Sequence, residues 1–395
     1  MRFKDNGKFN TVYGKTLIGF HLIQGQPCGG TASFNSYNPA HWQDRVGLFP
    51  QATTREWQHA LHPPPQRLWF SESQRHQTFA RLHQGLATEM AFFTRLYIRE
   101  SGQPLKWVQQ ELQLLLAQLA ALAEGTPSFN PHPEKPGYHL LCSESPVSFA
   151  QVGTLLLNTL YAGHPVIWLP CRQSSASAWL FSHLCRQAGF PAPALQLLHG
   201  RDFQRTDLPH LPDTALSRLL QQTPVNWLSL PQTPPHCHLL TTKDDIAPLL
   251  SHLNQPQAPW VLMTEARADR LCQALNKQLA QLRMGDPNLD RRVQCGPLAT
   301  PQHMTNFLTQ PTTAAVLTVW RGQGRLSRDS KPEPFVGDPD RGLYVWPTLR
   351  RFNSPEEALL SPVLPGPALN LLICSDDEQA NALFSRFTGH PHRVC

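Results

Sequence analysis

Charge is scarce in this chain. Of its 395 residues, 16% are Asp, Glu, Lys or Arg. The 34 basic and 28 acidic residues are spread too evenly to form a run of about five or six like charges. No charged tail is expected, and neither nucleic acid nor an anionic membrane is an expected partner. Long apolar runs are missing as well. No stretch reaches the roughly 18 consecutive apolar residues of a membrane span; the nearest, 112–123, is interrupted by Gln113 and Gln118. Paired-cysteine motifs are also absent. Nine cysteines lie scattered singly with no Cys-x-x-Cys, which fits reduced thiols rather than a disulfide framework. Met1-Arg-Phe-Lys-Asp-Asn-Gly-Lys8 has neither an apolar core nor a small-residue cleavage site, so no signal peptide and a cytoplasmic location are expected.

What is present is apolar and turn-rich. A 41% hydrophobic content over this length predicts a globular chain of two domains. The 38 prolines cluster in segments such as Pro63-Pro-Pro65 and Pro231-Gln-Thr-Pro-Pro235, which punctuate loops.

Short strands between glycine turns are expected over 11–38, then helices over 53–123. Ser71 and Ser73 are candidate caps for a helix whose buried face carries Phe79, Leu82, Leu86, Met90, Phe93 and Leu96 at three- and four-residue spacing. A second helix, 104–123, follows the Ser101-Gly102-Gln103 turn, with Trp107, Leu112, Leu115 and Leu119 as core positions. Strands at 138–142, 165–169 and 195–198 alternate with helices at 149–161 and 176–188, the pattern of a parallel sheet with right-handed crossovers. The span 206–235 reads as irregular and holds the domain boundary. Beyond it, strands are expected at 238–240, 260–263, 313–321, 343–348 and 369–374. Helices are expected at 244–253, 266–282 (closed by Gly285 as a C-terminal cap), 355–360 and 376–387.

Several motifs carry a family resemblance in their order along the chain. Ser36-Tyr-Asn-Pro-Ala40, Arg99-Glu-Ser-Gly-Gln-Pro-Leu105, Leu160-Tyr-Ala-Gly-His-Pro-Val-Ile-Trp-Leu-Pro170, Ala188-Gly-Phe-Pro191 and Leu197-Leu-His-Gly200 are followed by Leu282-Arg-Met-Gly-Asp-Pro287, Cys295-Gly-Pro-Leu298 and Leu343-Tyr-Val-Trp-Pro-Thr348. Together they resemble the aldehyde dehydrogenase superfamily, and within it the branch that includes succinylglutamic semialdehyde dehydrogenase. The resemblance implies an α/β fold, with a parallel Rossmann-type sheet flanked by helices and a shortened second α/β domain. The expected domains are 1–235, a degenerate nucleotide-binding type (1–125 strands and helices, 137–200 the strand–helix core), and 236–395, a truncated catalytic type.

The resemblance also implies where the chemistry belongs. In that family a thiolate attacks an aldehyde, positioned donors hold the oxyanion, hydride leaves to nicotinamide, and a base activates water. The oxyanion-donating asparagine falls at Pro146, which has no side-chain donor and no backbone N–H. The ribose-binding lysine falls at Leu169 and the acidic residue three positions on at Arg172. The nucleophile falls near Gln255, in Leu253-Asn-Gln-Pro-Gln-Ala-Pro259. The segment carrying the nicotinamide loop and the general base is missing between Gly200 and His238. The ribose-binding glutamate is displaced in Glu356-Glu-Ala-Leu-Leu-Ser-Pro362, and the family's closing strand is absent beyond Cys395.

Other groups have plainer readings. Gln294-Cys295 imitates a Gln-x-Cys nucleophile signature but follows the Met-Gly-Asp-Pro motif. Cys142 and Cys171 lie near the implied cofactor cleft, where a small buried hydrophobe is the commoner role of a free cysteine. His236-Cys237-His238 lacks a second pair at zinc-like spacing, Arg321-Gly-Gln-Gly-Arg325 reads as a surface turn, and Asp244-Asp245 suits a helix N-terminus. Exposed tryptophans at Trp42, Trp57 or Trp69 would mark an interface. The expectation is therefore a catalytically inactive homologue that binds, scaffolds or regulates. It needs no cofactor and no metal, and its partner is an active dehydrogenase, another metabolic enzyme or a second copy. The alternatives are a semialdehyde dehydrogenase using NAD or NADP through rearranged residues, or a cleft reused for another small ligand.

Overall fold

The computed structural model describes residues 15–61, 68, 71–128, 137–143, 148–200, 218–220, 225–228, 237–239, 249, 253, 258–309, 316–318, 324–355, 358 and 366–388. The chain forms two compact units, one of residues 1–38, 43–101 and 108–231, the other of 39–42, 102–107 and 232–395.

In the first unit, β1 (Leu17–Ile18), β5 (His41–Gln51) and β4 (Ala32–Asn38) make a small sheet in that order. The larger sheet has β3 (Gln26–Cys28), β2 (His21–Ile23), β8 (Leu195–Leu197), β7 (Val166–Leu169), β6 (Tyr138–Cys142) and β9 (Val225–Leu228) side by side. β8, β7, β6 and β9 are parallel, while β2 runs antiparallel to β8 and β3. The helices are α1 (Thr54–Ala60), α2 (Glu72–Ser101), α3 (Leu105–Ala123), α4 (Phe149–Tyr161) and α5 (Ser175–Ala188).

Their ends follow local chemistry. The Gln74 N–H donates to Ser71 Oγ at 3.1 Å, so Ser71 caps α2; Ser73 lies inside the first turn and instead accepts from Gln77. α5 closes on Gly189 at φ 89°, the left-handed conformation that glycine adopts without a Cβ penalty. Phe79, Leu82, Leu86 and Phe93 are all buried, as their spacing predicts, and so are Trp107, Leu112, Leu115 and Leu119.

The second unit holds a five-stranded sheet in the order β10 (Cys237–Leu239), β11 (Trp260–Thr264), β16 (Ala368–Cys374), β15 (Thr348–Phe352), β13 (Val316–Thr318). Only β13 runs antiparallel. Helices α6 (Glu265–Ala280) and α8 (Asp377–Thr388) cover opposite faces of this sheet. Leu271 and Leu275 join Val261 and Met263 in one apolar cluster, whereas Ala380 and Leu383 join Trp260 and Leu262 in another. Burial on both faces explains why these strands read as continuous apolar runs without alternation. A further helix, α7 (Pro301–Leu308), and a two-strand pairing of β12 (Met284–Gly285) with β14 (Phe335–Val336) complete the described elements.

Several expectations are corrected. The segment 343–348 is not a strand: Leu343 and Tyr344 make isolated backbone hydrogen bonds to Leu298, Pro39 and Leu326, and the strand begins at Thr348. Pro347 offers no N–H to a ladder, so β15 starts just beyond it. Gly285 does not cap the preceding helix, which ends at Ala280 with Gln281 as its C-cap. It lies in β12 at φ 135°, where a Cβ would meet the Val336 carbonyl oxygen at 2.1 Å. The span 206–235 is not wholly irregular, because β9 lies in it and pairs with β6. Of the strand expected at 313–321, Val316–Thr318 is described. The helix expected at 244–253 lies outside the described residues except at 249 and 253, as does much of 355–360. No helix among the described residues is long and apolar enough to cross a membrane.

Candidate functional site

The connectivity of the first unit's large sheet selects one edge of it. From β6 the chain steps to β7 and then β8, whereas β9 lies on the other side of β6. In open parallel sheets, ligands bind outside the carboxyl ends of the strands at such a switch point. Here that edge is formed by Cys142 at the end of β6, Leu228 at the end of β9, and Leu169 at the end of β7 leading into Pro170-Cys171-Arg172.

The edge is apolar and internally tied. Leu169 is buried among Trp57, Tyr138, Leu140, Ile167 and Leu198, with the half-buried Cys142 packed against the same cluster. Ser143 joins the ends of β6 and β7. Its N–H donates to the Leu169 carbonyl at 3.0 Å, while its Oγ accepts from Trp168 Nε1 and the Cys171 N–H, both at 3.3 Å. Arg172 opens a short 3₁₀ turn, Arg172–Ser174, and lays its guanidinium over the Phe34 ring at 4.9 Å. The buried Cys171 thiol sits 3.1 Å from Ser174 Oγ.

Two carboxylates, one of them inside the Arg99-Glu-Ser-Gly-Gln-Pro-Leu105 motif, occupy the helix starts at this edge, a role sequence reasoning missed. Glu111 of α3 accepts from Ser148 Oγ and, at 2.9 Å, from the Ala150 N–H at the start of α4. Glu100 at the end of α2 accepts from the Ala176 and Ser177 N–H groups at 2.6 and 2.9 Å and from Ser177 Oγ at 2.7 Å, at the start of α5. Burial pushes both carboxyls up, Glu100 to about 7, against the opposing pull of those hydrogen bonds. First-turn N–H groups are the ready-made cradle for a phosphate. In α4 and α5 that cradle is filled by the chain's own carboxylates. The partners lie 39 and 76 residues away in sequence, so no local signal reveals them.

The remaining expected positions divide cleanly. Cys295 is fully buried in the second unit's core beside Met284 and Tyr344, and burial pushes its thiol up to about 12. A thiol so held is protonated at neutral pH and is not a nucleophile. Trp57 is buried and Trp42 exposed, with Arg325 over the Trp42 ring at 4.9 Å. Cys237 lies in β10. Pro146, Gln255, Glu356, Trp69, His236, Arg321, Asp244 and Asp245 lie outside the described residues. No cluster of three or more His, Cys, Asp or Glu among the described residues is arranged to hold a metal ion.

At the described edge the positions nearest a dinucleotide are apolar or already hydrogen-bonded within the chain. Leu169 offers no polar group to a ribose hydroxyl, and Glu111 and Glu100 already take first-turn N–H groups of α4 and α5.

No protein-family model and no curated protein matches the chain. Solved structures do. An NAD-dependent aldehyde dehydrogenase from Sinorhizobium meliloti matches with a TM-score of 0.73 at 16% identity, over 94% of this chain and 81% of that one. The Delta-pyrroline-5-carboxylate dehydrogenase from Mycobacterium tuberculosis matches at 0.72 and 16%, over 94% and 76%. An aldehyde dehydrogenase from Bartonella henselae matches at 0.73 and 14%, over 94% and 85%. At such identities the likeness is one of fold, and function must be argued from the site.

Proposed function

We propose that this chain, which has the aldehyde dehydrogenase fold, is a catalytically inactive member of that structural class that acts by binding, as a partner or regulator of an active semialdehyde dehydrogenase or a related metabolic enzyme in the cytoplasm. The observation that carries this reading is Leu169, a core leucine at the strand end where the resemblance implies a ribose-binding lysine. Three others support it. Glu100 and Glu111 close the neighbouring helix starts to an anion, and Cys295, whose sequence imitates the nucleophile signature, is a buried protonated thiol. Pro146, at the position implied for the oxyanion donor, has no donor to offer, and Gln255, at the position implied for the nucleophile, has no nucleophilic side chain.

The test is calorimetric titration of the purified protein with NAD and with NADP, followed by an assay of several semialdehydes for reduced cofactor. The expected outcome is no binding of either dinucleotide and no turnover. Micromolar binding together with thiol-dependent turnover would overturn the reading in favour of a semialdehyde dehydrogenase with a rearranged site. Thermal stabilisation by a metabolite, without dinucleotide binding, would point to a cleft reused for another small ligand.

A further inference from the structure

A pair of buried histidines joins one edge of the large sheet to its antiparallel hairpin. His21 at the start of β2 and His199, two residues beyond β8, are both fully buried, with ring centroids 6.0 Å apart. The His199 backbone N–H donates to His21 Nδ1 at 3.1 Å. β2 and β8 share a single register pair among the described residues, Leu22 with Leu197. Side-chain bonds therefore supplement this attachment: the one to His21, and one from the Gln24 N–H to Gln196 Oε1 at 3.1 Å.

The bond to His21 sets a condition on protonation. Nδ1 accepts only while it is unprotonated, so the neutral ring carries its hydrogen on Nε2, a buried atom without a hydrogen-bond partner. A proton on Nδ1 abolishes the bond, and protonating both rings places two cations within 6.0 Å in an interior that solvates neither. The titratable and charged groups facing the pair, among the described residues, are few. Glu56 of α1 favours a charged His21; Cys28, paired with His21 across β3, has its thiol pushed up by burial and is uncharged; Phe49 of β5 against His199 bears no charge. Burial outweighs Glu56 at His21 and the Phe20 backbone at His199, holding His21 down at about 4 and His199 at about 3.

We propose that the His21–His199 pair is an acid-released latch that holds the β2–β3 hairpin on the edge of the sheet. The sign follows from linkage. Both groups are depressed in the closed form and return to about 6.5 when exposed, so the latch is fully engaged above about 6.5 and weakens as pH falls through the window down to about 3. Two such groups raise the opening equilibrium by roughly 500-fold between about pH 7 and about pH 5, about 20-fold each. Release bares the β8 edge, a row of backbone groups available to another strand.

Hydrogen exchange of the full chain across that pH range tests the proposal, with rates corrected for intrinsic exchange. Amides of 21–28 and 195–199 are expected to lose roughly 500-fold protection, while those of α3 and α4 hold theirs. His164 and His183 are also depressed by burial, so α4 and α5 report any unit-wide unfolding. His21→Asn keeps an acceptor near the Nδ1 position and removes one titrating group, and should cut the loss to roughly 25-fold. Protection at 21–28 that is independent of pH, a parallel loss throughout α3 and α4, or an unchanged slope in His21→Asn would each overturn the proposal. Should that variant fail to fold, the pH series of the unaltered chain decides.

Discussion

Two sets of ion pairs, one in each unit, sit in opposite environments. In the first, Arg99 grips Asp44 through two hydrogen bonds, Nε to Oδ2 at 2.9 Å and Nη2 to Oδ1 at 2.6 Å, with both side chains buried. The guanidinium also donates to the Lys15 and Arg45 carbonyls, and Asn38 donates to Asp44. Glu100 and Glu111 lie equally deep. In the second unit, Asp290 bridges Arg283 and Arg292, and Asp338 bridges Arg328 and Arg341, on loops where Arg292 is 78% exposed. Arg351 reaches Glu265 and Asp269, whose side chains are largely in water. The lesson concerns replacement. Water takes over when an exposed partner is removed, whereas nothing takes over in the interior.

That contrast can be broken by substitution. Asp44→Ala should have the largest effect, leaving Arg99 buried without its counter-ion at a cost of about 3 to 5 kcal/mol, read as a fall in the urea midpoint. An unchanged midpoint would show that the pair is as dispensable as a surface one. Glu100→Gln sharpens the comparison through pH. The Glu100 carboxyl is raised from its ordinary 4.5 to about 7, so its contribution is fully present below 4.5 and lost as pH rises through about 7. The stability of the parent relative to Glu100→Gln should therefore fall by about 1 to 3 kcal/mol between about pH 5 and about pH 8. A difference independent of pH would mean the carboxyl does not titrate in that range. Arg292→Ala should be the smallest change, with a midpoint indistinguishable from the parent in a matched titration; a clear loss would place this exposed cluster with the buried ones.

Legibility in the sequence followed the range of the interactions involved. Residues 138–142 and 149–161 are readable to the residue because their signals are local: a short apolar run, then a largely apolar helical segment. β9 was lost because four residues amid prolines are too few to show a period. Gly285 was assigned to a cap because glycine after a helix usually serves as one, whereas here the demand comes from Val336, far along the chain. The motif order was enough to anticipate the aldehyde dehydrogenase fold, which the solved structures share at 14 to 16% identity. The site was less legible. Leu169 and Glu100 could be located by their places in motifs, but what Glu100, Glu111 and His21 bind could not, since their partners lie on other elements.

By itself the sequence determined the periodicities, the turns and the identities of the residues at the strand ends, all matters of neighbouring side chains and backbone preference. Tertiary structure alone decided what those residues can do. It brought Glu100 to the start of α5 and His199 to His21, and it buried Cys295. Desolvation and hydrogen-bond partnership, which set protonation and reactivity, depend on which distant segments fold against a group.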